Sequence, residues 1–229
     1  MIAILDCEMG NLQSVFHGID SMGYDCEIIR RSELNDEYTH LVLPGVGNFH
    51  QVMSSKNIAD IKNRVHKFAK TGKPILGICL GMQLLSDWGE EGGGIEGLGL
   101  IGGKVHRLFE SKIIRLPHVG WNSVNFLHDH PLFSGLKNNL DFYFVHSYQF
   151  IPKHEESIYA TTNHGNDFTS IVAERNIIGV QFHPEKSQSS GLKTVSYTHL
   201  RAHETREDLG CRGVRGKKKG GGGGGGGGG

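Results

Sequence analysis

Hydrophobic positions change period along this chain, and the changes mark its elements. Ile2-Ala3-Ile4-Leu5 is a short apolar run that reads as a buried strand ending at Asp6. Gly10-Asn11 then opens a helix in which Leu12, Val15, Phe16, Ile19 and Met22 recur at helical spacing, and Gly23 stops it. Cys26 to Ile29 reads as a second strand. His40-Leu41-Val42-Leu43 is a third, stopped by Pro44-Gly45-Val46-Gly47. A second helix is expected from about Asn57 to Lys70, with Ile58, Ile61, Val65 and Phe68 on one face and Gly72 past its end. Pro74 to Ile78 returns to strand and leads through Cys79 into Leu84, Leu85 and Trp88, again at helical spacing.

Strands alternating with helices in units of about 30 residues predict a parallel sheet covered on both faces. Beyond Trp88 the pattern changes. Gly92-Gly93-Gly94, Gly97, Gly99, Gly102 and Gly103 mark loops, and strands are expected at Ile101 to Phe109, Ile113 to Leu116, Phe142 to Val145, Ser157 to Thr162, Ser170 to Glu174 and Ile177 to Phe182. The expected fold is therefore α/β: an open, largely parallel central sheet with helices on both faces and antiparallel additions in the second half, continuous over residues 1–193.

Two stretches carry candidate chemistry. In Gly77-Ile78-Cys79-Leu80-Gly81-Met82-Gln83, small residues two positions either side of a Cys let a strand turn sharply into a helix. A thiol on such a corner lies beside backbone N–H groups, which favour the thiolate. A buried, inert Cys in a tight turn fits those seven residues equally well. The last expected strand delivers His183-Pro184-Glu185, a base with an orienter two residues on, on one face if the strand continues. Oxyanion donors would be the Leu80 N–H and one from the Pro44–Gly47 loop, assigned to Gly47; such a donor is typically worth about 2.7–4 kcal/mol of barrier. Both loops follow expected parallel strands, and ligand sites of such sheets lie at the carboxyl ends of the strands.

Composition changes the picture only at one end. The chain has 229 residues, 24 basic and 24 acidic. From Thr194 onward there are seven Lys/Arg and three Asp/Glu, leaving 17 basic and 21 acidic residues before it and a net charge of −4. Residues 194–229 end in Lys217-Lys218-Lys219 and a glycine run and show no sustained period. Such a segment buries too little apolar surface to offset its ordering entropy. A disordered tail is expected, produced by a frameshift or sequence assembly. A nucleic-acid-binding basic tail is the functional alternative. The body shows no sign of a nucleic-acid or membrane partner: no apolar run nears the roughly 20 residues of a membrane helix. The N-terminus lacks a signal-peptide pattern, and Cys7, Cys26, Cys79 and Cys211 lack C-x-x-C spacing, so a reducing cytoplasm is expected.

The two motifs together, in this order, resemble the class I (triad-type) glutamine amidotransferases, whose fold is flavodoxin-like. Met9-Gly10-Asn11-Leu12, Pro44–Gly47, His118-Val119-Gly120-Trp121-Asn122, Tyr143-Phe144-Val145-His146-Ser147-Tyr148 and Phe182–Ser187 narrow the resemblance to the glutaminase subunits of imidazole glycerol phosphate synthases. The resemblance implies a triad of Cys79, His183 and Glu185, with glutamine held by Gly47, Gln83, Glu91, Ser147 and Tyr148. It implies hydrolysis of glutamine through a Cys thioester and delivery of ammonia to a (β/α)8-barrel synthase subunit in a heterodimer. No cofactor or metal is called for. Asn11, Trp121, Tyr143 and Lys186 match partner-facing positions. The alternative is the same half-reaction feeding a related synthase of nucleotide-sugar or surface-polysaccharide assembly. Peptidase and deglycase relatives of the fold place His directly after the Cys, where this chain has Leu80.

Two departures from the family pattern stand out. Cys7-Glu8 replaces the usual Tyr-Gly of the first turn. The family also continues past Gly191-Leu192-Lys193 into a closing helix that this chain lacks. Each core side chain such a helix would bury is worth about 1.5–3 kcal/mol, so marginal stability is expected. A thermal melt above about 60 °C, the upper end for ordinary mesophile domains, would count against it.

Overall fold

A computed structural model describes residues 1–7, 10–128, 138–188 and 191 of the chain. The expectations for Glu8 and Met9, for the boundary at residue 193, and for the closing helix and the 194–229 tail lie outside the described residues. The first half alternates strand and helix as its periodicity predicts, with one short helix, α2, added and α4 cut short: β1 (Ile2–Asp6), α1 (Leu12–Asp20), β2 (Cys26–Arg30), β3 (His40–Leu43), α2 (Phe49–Met53), α3 (Ile58–Lys70), β4 (Ile75–Ile78) and α4 (Leu80–Leu84). The second half is strand-rich: β5 (Trp88–Gly89), β6 (Ile95–Glu96), β7 (Gly103–Arg107), β8 (His118–Phe126), β9 (Leu140–His146), β10 (Tyr148–Pro152), β11 (Ile158–His164), β12 (Asn166–Glu174) and β13 (Ile177–Val180).

Nine strands form the main sheet in the order β2-β1-β3-β4-β13-β12-β11-β8-β9. The five from β2 to β13 are mutually parallel, with Leu41 opposite Ile75 and Ile78 opposite Val180. From β12 outward the pairings are antiparallel. The period-2 alternation of β1 splits its side chains between two cores. Ala3 and Leu5 pack with Ile61, Val65 and Phe68 of α3, while Ile2 and Ile4 pack with Val15 and Ile19 of α1. Helices thus cover both faces. A smaller sheet, β10-β7-β5-β6, stands apart, and the chain passes from β9 to β10 through Ser147 alone.

The structure corrects several sequence expectations. The helix after Cys79 stops at Leu84, and Trp88 lies in β5. The Leu84 carbonyl accepts the Leu98 N–H, and the Leu85 carbonyl those of Leu100 and Ile101, so the next loop takes the acceptors a longer helix needs. Residues 113–116 are not a strand: the Ser111 hydroxyl accepts the N–H groups of Ile113 and Ile114, a local turn that competes with the ladder, and Ile113 is exposed. Unforeseen elements are α2, the short strands β5 and β6, β8 and β10. α2 is capped by the Asn48 side chain, which accepts the Gln51 N–H at 2.9 Å. The alternation of β8 is disguised by Gly120, Asn122, Ser123 and Asn125.

Candidate active site

The carboxyl ends of β3, β4 and β13 are adjacent in the sheet, and each feeds one part of the site. After β4, Cys79 adopts φ 53°, ψ −107°, a conformation that costs a non-glycine residue about 1–3 kcal/mol. Its N–H is held by the Val180 carbonyl at 2.8 Å, which extends the β4–β13 ladder one step and keeps the corner tight. The flanking glycines are required by space. A Cβ on Gly81 would stand 1.8 Å from the Leu43 carbonyl oxygen, and one on Gly77 2.7 Å from the Gly81 carbonyl oxygen.

After β13 the chain bends, and Pro184–Lys186 forms a 3-10 turn. His183 and Glu185 therefore meet across a turn and not along one face of a strand. The imidazole Nδ1 lies 2.8 Å from Glu185 Oε1, and both side chains are nearly fully buried. The turn is stapled to β9: His183 N–H donates to the Tyr143 carbonyl at 2.9 Å, and the Ser187 hydroxyl donates to the His183 carbonyl at 2.6 Å. The Asn11 amide donates to Glu185 Oε1 at 2.6 Å, so the first turn of the chain also braces the pair.

Charge follows from these contacts. Burial alone would pull the His183 imidazole down, but the Cys79 and Glu185 side chains more than offset it and hold its pKa at about 9. Burial would raise the Glu185 carboxyl; the His183 imidazole, with Asn11, holds it below its ordinary value. The second ring nitrogen of His183, Nε2, is buried and makes no hydrogen bond among the described residues. At neutral pH the pair is an imidazolium and a carboxylate beside the Cys79 sulfur.

Gly47, Cys79, Leu80, Gln83, Glu91, Ser147 and Tyr148 line a single cavity of about 420 Å³, with Val46, Pro117, Val145, His146 and Lys186. His183 and Glu185 are not among the lining residues. Gly47 has φ 132°, in the region that favours glycine. Glu91 accepts the Phe49 N–H at 2.6 Å, which ties it to the start of α2 just after the Pro44–Gly47 loop. The Leu80 N–H, expected to be free for an oxyanion, donates a long 3.4 Å bond to the Gly45 carbonyl. The expected partner-facing residues also cluster: Trp121 packs edge-on against Tyr143 (ring centroids 6.2 Å apart), and Lys186 Nζ lies 5.7 Å from the Tyr143 ring centroid.

Three side chains in the site were missed in the sequence. Gln181 is fully buried, and its Nε2 donates to Cys79 Sγ at 3.6 Å. Its place two residues before His183 could have flagged it. His118 and His146 are buried with their rings hydrogen-bonded, Nδ1 to Nε2, at 3.0 Å. Burial pushes them down, to about 4 and about 3, so both are neutral at neutral pH. Their pairing across β8 and β9 was not readable before β8 was known to be a strand.

Comparison with known proteins places this architecture. The family "Glutamine amidotransferase class-I" matches residues 3–200. Imidazole glycerol phosphate synthase subunit HisH of Moorella thermoacetica is 42% identical over 194 residues, covering 85% of this chain and 91% of the relative. The HisH of Pyrococcus furiosus is 47% identical over 192 residues, covering 83% and 94%. A GMP synthase component from Thermoplasma acidophilum (TM-score 0.68, 22% identity, 91% and 96% coverage) shares the fold. So does a polypeptide in the structure of PurLQS from Thermotoga maritima (TM-score 0.69, 16% identity, 86% and 96% coverage). This chain belongs to the class-I glutamine amidotransferases, in the HisH family of imidazole glycerol phosphate synthase subunits.

Proposed function

We propose that this chain hydrolyses glutamine at Cys79 and passes the ammonia to a (β/α)8-barrel synthase subunit, which forms imidazole glycerol phosphate and aminoimidazole carboxamide ribotide in histidine biosynthesis. The observation that carries this reading is the strained Cys79 corner beside a buried His183–Glu185 pair, at the wall of a cavity of about 420 Å³.

Glutamine binds with its side-chain amide toward Cys79. Glu91 meets the α-ammonium with the carboxylate oxygen that Phe49 does not use, and Gly47, Ser147 and Tyr148 supply neutral polar contacts. The Cys79 thiolate attacks the amide carbon, and the oxyanion is met by the Leu80 N–H and a donor of the Gly47 loop. His183 hands its proton to the departing ammonia, leaving a thioester. The now neutral imidazole takes a proton from water, the hydroxide displaces the sulfur, and glutamate leaves as the thiolate is restored.

In this structure the Leu80 N–H is engaged by Gly45, so the isolated subunit is expected to be a poor glutaminase. Partner binding would favour a loop arrangement that frees this donor. The partner meets the face built by Asn11, Trp121, Tyr143 and Lys186. The test is glutamate release by the full chain, with and without the barrel partner, in parallel with Cys79→Ser. Activity is expected to rise about a hundred- to a thousandfold with the partner, the effect of gaining one oxyanion donor, and to vanish in Cys79→Ser. Glutamine-dependent turnover by Cys79→Ser would remove Cys79 as nucleophile, and full activity of the lone chain would remove the loop switch.

A further inference from the structure

We propose that Gln181 is a neutral hydrogen-bond donor to the Cys79 sulfur, turned toward it by Gln83, and that it stabilises the thiolate that attacks the substrate. The proposal rests on Cys79 being the nucleophile.

The orientation of both amides follows from one unambiguous acceptor. The Tyr148 carbonyl oxygen can only accept, and Gln83 Nε2 lies 3.1 Å from it. Gln83 therefore presents its NH2 group there, and the same nitrogen reaches Gln181 Oε1 at 3.0 Å. Gln181 must then accept on that side, which leaves its own NH2 for Cys79 Sγ at 3.6 Å. Reversing either amide would set two donors or two acceptors against each other in a buried site, which is costly. The Tyr148 carbonyl is itself fixed from the other side by His146 Nδ1 at 2.8 Å.

The chemistry asked of Gln181 suits a neutral group. A sulfur held by the His183 imidazolium alone gains from the charge but loses it once that proton goes to the ammonia. An amide N–H remains through the cycle and favours the thiolate over the thiol, since it donates to the anion without a proton of its own to lose. It also opposes the alternative in which the thiol donates to the Val145 carbonyl, 3.9 Å away. With both Gln83 hydrogens spent inside, what Gln83 offers the cavity is an acceptor.

The test is the pH dependence of Cys79 alkylation by iodoacetamide in the full chain, read on the Cys79 peptide by mass spectrometry. Gln181→Met keeps length and volume and removes the donor. Its alkylation midpoint is expected to rise by about one pH unit, a tenfold loss of thiolate below the midpoint, with a fall in kcat and little change in KM. Gln181→Glu, which turns a lone pair and a charge toward the sulfur, is expected to raise it further. An unchanged midpoint in a folded Gln181→Met protein would overturn the proposal while leaving Cys79 as the nucleophile. Should Gln181→Met fail to fold, the side-chain amide resonance of Gln181 in the unsubstituted protein decides. It is expected to shift with the alkylation midpoint, and a resonance indifferent to thiol titration overturns the proposal. Loss of Cys79 dependence in the glutaminase assay is a separate result, directed at the nucleophile itself.

Discussion

His183 and Glu185 bound the pH range of greatest stability from both ends. His183 has its pKa raised from 6.5 to about 9, so the stability its pairing adds is complete below 6.5 and is lost as pH rises through about 9. Glu185 has its pKa lowered from 4.5, so its contribution is complete above 4.5 and is lost as pH falls further. The denaturation midpoint, measured from pH 4 to 10, is expected to decline at both ends of that window, and Glu185→Gln should move the alkaline decline to lower pH. Asn11 is the second prediction at this scale. Asn11→Ala removes a donor to a buried carboxylate, a bond of roughly 1.5–3 kcal/mol. We expect kcat/KM to fall about tenfold and the acid limb of the pH–rate profile to move upward, since Asn11 helps keep the Glu185 pKa low.

Between elements, one close approach joins the end of β3 to the start of α4. The hypothetical Gly81 Cβ sits 1.8 Å from a backbone oxygen of Leu43, which no side-chain rotation can relieve. Gly81→Ala is expected to cost roughly 1–3 kcal/mol or more, read as a lower urea midpoint with unchanged slope. The β8–β9 pair carries a different liability. His118 and His146 are buried neutral, with pKa values lowered to about 4 and about 3, so the protein resists charging them as pH falls below 6.5. Stability in the interval from 6.5 to 4 should therefore drop, in the direction opposite to the His183 effect. His118→Asn should flatten that slope, measured by urea titration at each pH.

For the whole molecule, the body's net charge of −4 contrasts with the corner proposed to meet the partner, where Lys186 lies against Tyr143 and Trp121 is half exposed. Tryptophan and tyrosine are enriched in interface hot spots, each worth about 2 kcal/mol or more when truncated. Trp121→Ala is expected to weaken binding of the barrel partner by at least tenfold, measured by calorimetry. The glutaminase activity of the lone chain should stay unchanged, because Trp121 lies outside the cavity lining.

The first half of the fold was legible because a buried parallel strand is a continuous apolar run and an amphipathic helix repeats every three to four positions. Leu12 through Met22, Ile58 through Phe68 and the runs ending at Leu43 and Ile78 carry those patterns without interference from polar side chains. The Cys79 corner was legible for a steric reason, since only small residues at Gly77 and Gly81 let β3, β4 and α4 approach so closely. β8 was not legible, because its polar residues are satisfied by partners far along the chain, such as the Asn163 carbonyl that takes the Asn122 amide. Neither was the end of α4, which depends on N–H groups more than ten residues away. The His183–Glu185 pair was found in the sequence through a strand alternation that the chain does not use. Its turn geometry, its brace from Asn11 and the orientation of Gln181 are tertiary decisions. Each depends on a hydrogen-bond partner from another element, and local spacing carries no record of where a buried donor finds its acceptor.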